Sequence, residues 1–180
     1  MRLPYVANPP VTSNAGDAEI VARIAARRHP RPLQPLDLTL LHSPLVADGW
    51  NSFLGAVRTK TDIPADEREL AISRIAAINR AWYEWRHHAP LAVQAGVDEA
   101  LMMGVVVDGA VELNLGDKAP GFNDRQWLAL VYADEMTRNV QVKDDTFEAL
   151  KQAFSDREVV ELTATVSYTH LLRIYEDQDC

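Results

Sequence analysis

The stretch PADERELAISRIAAINRAWYEWRHHAPLAVQAGV, residues 64–97, decides the fold. Pro64 followed by Glu67 and Glu69 is helix-start chemistry: proline suits the first turn, and carboxylates favour the positive end of the helix dipole. Leu70, Ile72, Ile75, Ala76 and Ile78 make a strongly apolar run. The helical pattern continues through Trp82 and Trp85 to Leu91 and Ala92 and ends at Gly96, a residue suited to a helix C-terminus. A run from 64 to 95 is long for one globular helix, so a break is expected near Asn79–Ala81.

Outward from this stretch the signals remain helical. Ile20, Val21, Ile24 and Ala25 repeat at helical spacing from Asp17 and stop before Pro30. Leu36 to Leu41 predict a short helix, and residues 44–58 another through Leu45, Trp50, Phe53, Leu54 and Val57. A short helix is expected around Asp98–Met103. Val105-Val106-Val107 has local strand propensity without a partner strand, so residues 105–122 read as a loop. Asn123 with Gln126, Asp145 with Glu148, and Ser155 with Glu158 fit capping-box spacing ahead of apolar runs. The reading is all-α, with about eight helices. Residues 1–15, with Pro4, Pro9 and Pro10, form an extended arm, either disordered or laid over a neighbouring surface; residues 16–180 form one domain.

The 180 residues are 47% hydrophobic and 24% charged, enough to build a core without disulfides. A net charge of −8 argues against nucleic acid or an anionic membrane as partner, since both require a basic footprint. Arg27, Arg28 and Arg31 sit beside Pro30 and Pro32 in an expected connection and do not change this. Cys180 is the single cysteine, which rules out an intramolecular disulfide and reads as a tail thiol without a role. The N-terminus lacks a signal-like apolar segment and no run reaches membrane-spanning length, so a cytoplasmic location is expected.

The chemistry concentrates at Glu84 and His88. Four residues apart on a helix, they share one face, whereas His87 points about 100° away. A carboxylate beside an imidazole orients the ring through one nitrogen and leaves the other to exchange a proton near neutral pH. Trp82, Tyr83 and Trp85 concentrate aromatic surface there, suited to excluding water and lining a pocket for a flat substrate. The same spacing also occurs in simple surface pairs, and the same aromatics in cores. Glu and His both ligate metals, but there is no His-Glu-x-x-His, no Cys/His cluster and no second carboxylate–histidine helix, so no metal is expected.

The combination Arg68-Glu69-Leu70-Ala71-Ile72, Tyr83-Glu84-Trp85-x-x-His88-x-x-x-Ala92 and Ala95-Gly96-Val97 resembles the core helical pair of the carboxymuconolactone decarboxylase and alkyl hydroperoxidase D superfamily. Asp124-Arg125, the Tyr132–Arg138 segment, and Phe154-Ser155-Asp156 through Glu161-Leu162-Thr163 extend the resemblance over roughly residues 40–175. The resemblance implies an alkyl hydroperoxidase D-like helical fold and a homo-oligomer: dimer, trimer or hexamer. In the peroxidase branch two cysteines would fall on Ala81 and Glu84, with the family's glutamate at Glu69. Both thiols are missing, so thiol peroxidase chemistry is excluded. The Glu-x-x-x-His pattern of the decarboxylase branch is kept as Glu84 and His88, and that branch acts on carboxylated lactones without a cofactor. One departure is Tyr168-Thr169-His170-Leu171-Leu172-Arg173, where His170 stands in place of an apolar residue.

These readings set the expected roles. His88 gives or takes the proton, Glu84 orients it, and Glu69 holds the histidine network or a water. Trp82, Tyr83, Trp85, Tyr168 and His170 are candidate substrate-binding residues. Arg80 and Arg86 are weighed as partners of a substrate carboxylate, though both are expected to face solvent. The expected function is that of a cofactor-independent lyase or isomerase acting on a small oxygenated carboxylate or lactone. The competing reading is a non-catalytic helical binding or assembly module with a structural Glu84–His88 pair.

Overall fold

The computed structural model describes residues 3–176, with side chains described as far as His170; Cys180 lies outside the described residues. The chain gathers into two compact units, Met1–Thr61 and Asp62–Cys180. Among the described residues there are nine α-helical segments and no strand, so the fold is all-α.

In the first unit, α1 (Ala15–Arg28) starts at Asn14, whose Oδ1 accepts the Asp17 amide at 2.9 Å, and it buries Ile20 and Ile24. It stops before Pro30, as the proline requires. Helix α2 (Pro35–Leu40) carries Asp37, a buried carboxylate that accepts from Arg28 Nε at 2.8 Å and Nη2 at 2.9 Å. Arg27 and Arg28 therefore belong to the last turn of α1, not to the connection expected from the neighbouring prolines. Helix α3 (Pro44–Thr59) completes the unit. The proline-rich arm is laid over this unit: Val6 donates its amide to the Leu38 carbonyl at 3.2 Å, and His42 Nε2 donates to the Pro4 carbonyl at 2.7 Å.

The second unit is built around α4 (Ala65–Asn79), which packs against α5 (Trp82–Gln94), α7 (Asp124–Asn139) and α9 (Asp156–Glu176). Between α5 and α7 lie the single turn α6 (Glu99–Leu101), a π turn over Met102–Val106 and a 3-10 turn at Leu115–Asp117; α8 (Asp144–Ala153) follows α7. One apolar cluster joins Ile75, Leu128, Tyr132, Leu150, Leu162 and Val166. A second joins Leu70, Ala92, Met102, Val106, Leu130 and Val131. Between them α4 is enclosed, with every residue from Glu69 to Ala77 buried.

The break between α4 and α5 falls where the sequence predicts. Arg80 takes a left-handed conformation (φ 56°), the Ala81 amide reaches back to the Ala76 carbonyl at 2.8 Å, and α5 starts at Trp82. This tight reversal folds α5 back along α4.

Residues 105–113 form no strand for an identifiable reason. Arg74, fully buried on α4, donates through Nη1 to the carbonyls of Val106 at 3.2 Å and Asp108 at 2.7 Å, and through Nη2 to that of Val111. Its charge is balanced by Asp134 on α7, whose Oδ1 lies 2.7 Å from Arg74 Nε. Asp134 Oδ2 accepts from Arg138 Nε at 2.7 Å, and Arg138 Nη2 donates to the Gly109 carbonyl at 2.7 Å. The loop carbonyls are thus spent on two arginines and not on a ladder. Gly109 is needed here, because a Cβ at that position would lie 2.4 Å from the Ala77 carbonyl oxygen.

Two of the three predicted capping boxes form. Asn123 exchanges bonds with Gln126 (3.1 and 2.8 Å), and Ser155 does so with Glu158 (2.8 and 3.3 Å). The third does not: Lys143 takes the N-cap position of α8, and Asp145 Oδ1 accepts from Thr146 N at 2.9 Å. The start of α8 is served from α7 instead, since buried Glu135 accepts the Lys143 amide at 2.9 Å and the Thr146 hydroxyl at 3.0 Å.

Two stability effects follow from this geometry. Arg74→Met leaves Asp134 short of a partner in the core and is expected to destabilise the protein by about 3–5 kcal/mol in urea denaturation, as breaking a buried ion pair does. Val140 closes α7 in a left-handed conformation (φ 53°) at 89% exposure, a strained place for a β-branched residue. Val140→Gly is expected to raise stability by roughly 1 kcal/mol in the same assay.

Candidate active site

Helices α4 and α5 bring Glu69, Glu84 and His88 into one buried chain of contacts. His88 Nδ1 donates to Glu69 Oε2 at 2.6 Å, and His88 Nε2 lies 3.1 Å from Glu84 Oε2. The side chains of Glu69 and His88 are each 4% exposed and that of Glu84 is 8% exposed. The spacing of Glu84 and His88 on α5 puts both on one face, as the sequence predicts. Glu69 reaches the ring because the reversal at Arg80 sets α5 against α4.

The donor inventory constrains the proton count. A neutral imidazole has one N–H and one lone pair, and the bond to Glu69 takes the N–H at Nδ1. Nε2 lies at ion-pair distance from Glu84, a contact that is attractive when a proton is held at that end, on the ring as an imidazolium or on the carboxyl. Glu84 is the most exposed of the three side chains.

The contacts run in series instead of converging. Nδ1 and Nε2 point to opposite sides of the ring, each at its own carboxylate, which leaves no common centre for a cation. Among the described residues no group of three or more His, Cys, Asp and Glu side chains is arranged to hold a metal ion.

The remaining sequence candidates are more dispersed. Trp82 (39% exposed) and Tyr83 (40%) sit on the first turn of α5 at the surface, and the Tyr83 ring lies 4.3 Å from that of His87, tilted by 38°. Trp85 packs against the apolar cluster that includes Leu70 and Ala92. Water is thus kept from the triad by helix packing more than by an aromatic wall. Tyr168 is buried on α9. His170, also on α9, bonds to Thr137 Oγ1 of α7 at 3.1 Å. The Thr137 hydroxyl spends its hydrogen on the Ala133 carbonyl at 2.6 Å, so His170 Nε2 is the donor. Of two surface clefts, one of about 310 Å³ is bounded by Val6, Thr12, Val21 and His42, and one of about 270 Å³ by Val105, Asp108, Glu112 and Trp127; neither includes a triad residue.

Sequence reasoning overlooked one neighbour of the triad. Arg68 Nε lies 3.3 Å from Glu69 Oε1, the oxygen not used by His88. Adjacent helix positions do not normally face each other, so nothing in the spacing signals this contact.

Residues 44–113 match the carboxymuconolactone decarboxylase family model. The matched segment contains Glu69, Glu84 and His88. The apo crystal structure of the debrominase Bmp8 is similar to this chain with a TM-score of 0.63 at 18% identity, over 90% of this chain and 84% of that one. At that identity the likeness speaks for the fold, and the all-helical fold implied by the resemblance is the one observed. No curated protein matches the sequence at a significant level. Among the described residues no helix is long and apolar enough to cross a membrane.

Burial holds the His170 imidazole below its ordinary value of 6.5. The folded state therefore resists protonating it, and this contribution to stability is complete above pH 6.5 and lost as the pH falls below it. Thermal melts across pH 5–8 are expected to show a flatter low-pH decline for His170→Gln than for the wild type.

Proposed function

We propose that the protein is a cofactor-independent lyase or isomerase that moves a proton through Glu69, His88 and Glu84. The observation that carries this reading is the imidazole held at both nitrogens by buried carboxylates from two helices. Glu69, at the shorter distance, fixes the ring and its tautomer, a role the sequence reading gave to Glu84. Glu84 and Nε2 then form the exchanging end, where a proton is held. In decarboxylation the bond to the substrate carboxylate breaks, carbon dioxide leaves, and the electron pair passes into an enolate or dienolate. The proton at Nε2 and Glu84 is delivered to that carbon and replaced from solvent. Isomerisation and lactone opening begin with the same positioned transfer. The family match supports a small oxygenated carboxylate or lactone as the substrate class.

Homo-oligomerisation is part of the same proposal. Exposed Trp82 and Tyr83 are apolar surface of the kind that an assembly would cover.

Burial also supports a second reading, a non-catalytic module in which the triad is structural polarity. Neither of the two clefts is lined by a triad residue. A panel of carboxylated lactones and aromatic keto acids separates the two, with a brominated aromatic acid added because the structural neighbour is a debrominase. The wild type is expected to turn over at least one compound, and His88→Ala, Glu84→Gln and Glu69→Gln to lower kcat by roughly 10²–10⁴-fold, the usual worth of acid–base catalysis. Variants equal to an active wild type would remove the triad from the mechanism. An inactive wild type would favour the structural reading.

A further inference from the structure

We infer that Arg68 is the carboxylate-binding residue of the site, a specificity determinant that anchors an acidic substrate beside the triad. This rests on the reading of Glu69, His88 and Glu84 as the reacting groups.

The first argument is hydrogen-bond capacity. Arg28, Arg74, Arg125 and Arg138 each engage at least one terminal guanidinium nitrogen as well as Nε. Arg28 puts Nε and Nη2 on Asp37, Arg74 and Arg138 share Asp134 and the loop carbonyls, and Arg125 joins Glu67, Glu158 and the Ala153 carbonyl. Arg68 differs. Its side chain is only 16% exposed, its Nε lies 3.3 Å from Glu69 Oε1, and among the described residues its terminal nitrogens make no hydrogen bond or ion pair. A guanidinium so desolvated, with its fork uncommitted, is prepared for a planar anion that can accept two parallel N–H bonds.

The second argument is charge. With both carboxylates ionised and the ring doubly protonated, the triad carries one net negative charge, and the chain as a whole carries −8. An anionic substrate would be repelled from such a site. Arg68 brings the local sum to zero and supplies the attraction. Its location suits the task, since it is more exposed than any triad side chain and separated from His88 by Glu69 alone. The other cations weighed from sequence are less well placed, because Arg80 caps α4 from the surface and Arg86 is exposed on α5.

The test uses the full chain and two probes: an unsaturated five-membered lactone with a carboxylate arm, and its methyl ester. Calorimetric binding and, where turnover occurs, KM are compared for the wild type, Arg68→Gln, Arg68→Lys and His88→Ala, with thermal melts to confirm folding. The wild type is expected to bind the acid at least about tenfold more tightly than the ester, the scale of one charge-assisted hydrogen bond. Arg68→Gln abolishes this preference by weakening the acid alone, Arg68→Lys keeps part of it, and His88→Ala keeps it while losing turnover. A wild type without preference for the acid overturns the inference, and this holds even if Arg68→Gln fails to fold. It is equally overturned if Arg68→Gln binds the acid normally, or weakens acid and ester alike, in which case the arginine serves only Glu69. A preference that survives alongside full turnover in His88→Ala keeps the subsite and removes the proton-transfer reading instead.

Discussion

Helix α4 is enclosed by its neighbours, and it carries ionisable side chains that burial compels into pairs. Glu67, Glu69 and Arg74 are each 3% exposed or less. A charge taken from water costs several kcal/mol unless a partner and further hydrogen bonds replace its hydration. Each of the three finds a different partner: Glu67 meets Arg125 of α7 at 2.7 Å, Glu69 meets His88 of α5 at 2.6 Å, and Arg74 meets Asp134 of α7 at 2.7 Å. The pairs tie α4 to both neighbours and draw the 105–113 loop over its end. The candidate site is one of these pairs extended by a second carboxylate.

The proposed chemistry depends on that extension. Glu67 and Arg125 form a closed set with Glu158: their contacts hold the arginine proton more tightly than usual and keep the Glu158 carboxyl below its ordinary value of 4.5. That set contains no imidazole. In the Glu69–His88–Glu84 chain, by contrast, the central group is an imidazole, the side chain whose unperturbed titration lies nearest neutrality. Two carboxylates compete for its protons, at 2.6 Å and 3.1 Å. The asymmetry fits the proposed division between an orienting carboxylate, Glu69, and an exchanging one, Glu84, whose side chain is the more exposed of the two.

What the sequence made legible follows from how local each signal is. The spacing of Glu84 and His88 needs nothing but helical geometry, and the break at Asn79–Ala81 follows from run length; both stand in the structure. That Glu69 belongs with them came from family resemblance, because a contact across a helical hairpin has no signature in spacing. The 105–113 loop was legible only as not strand. Its path is dictated by Arg74 and Arg138, long-range partners that outweigh the local preference of three valines. Asp145 was misread as a cap for the same reason, since Glu135 from α7 supplies what a local side chain would otherwise have to. Trp82 and Tyr83 show the limit of composition: aromatic density was visible, but which way the first turn of α5 faced was not.

The central claim concerns where the protons of His88 reside, and nitrogen-15 NMR of histidine-labelled protein measures this directly, with His88→Ala assigning the signals. The account predicts a protonated Nδ1 whose hydrogen is shifted far downfield and exchanges slowly, and which loses both properties in Glu69→Gln. An unprotonated Nδ1 in the wild type, with Nε2 as the sole protonated nitrogen, would contradict it.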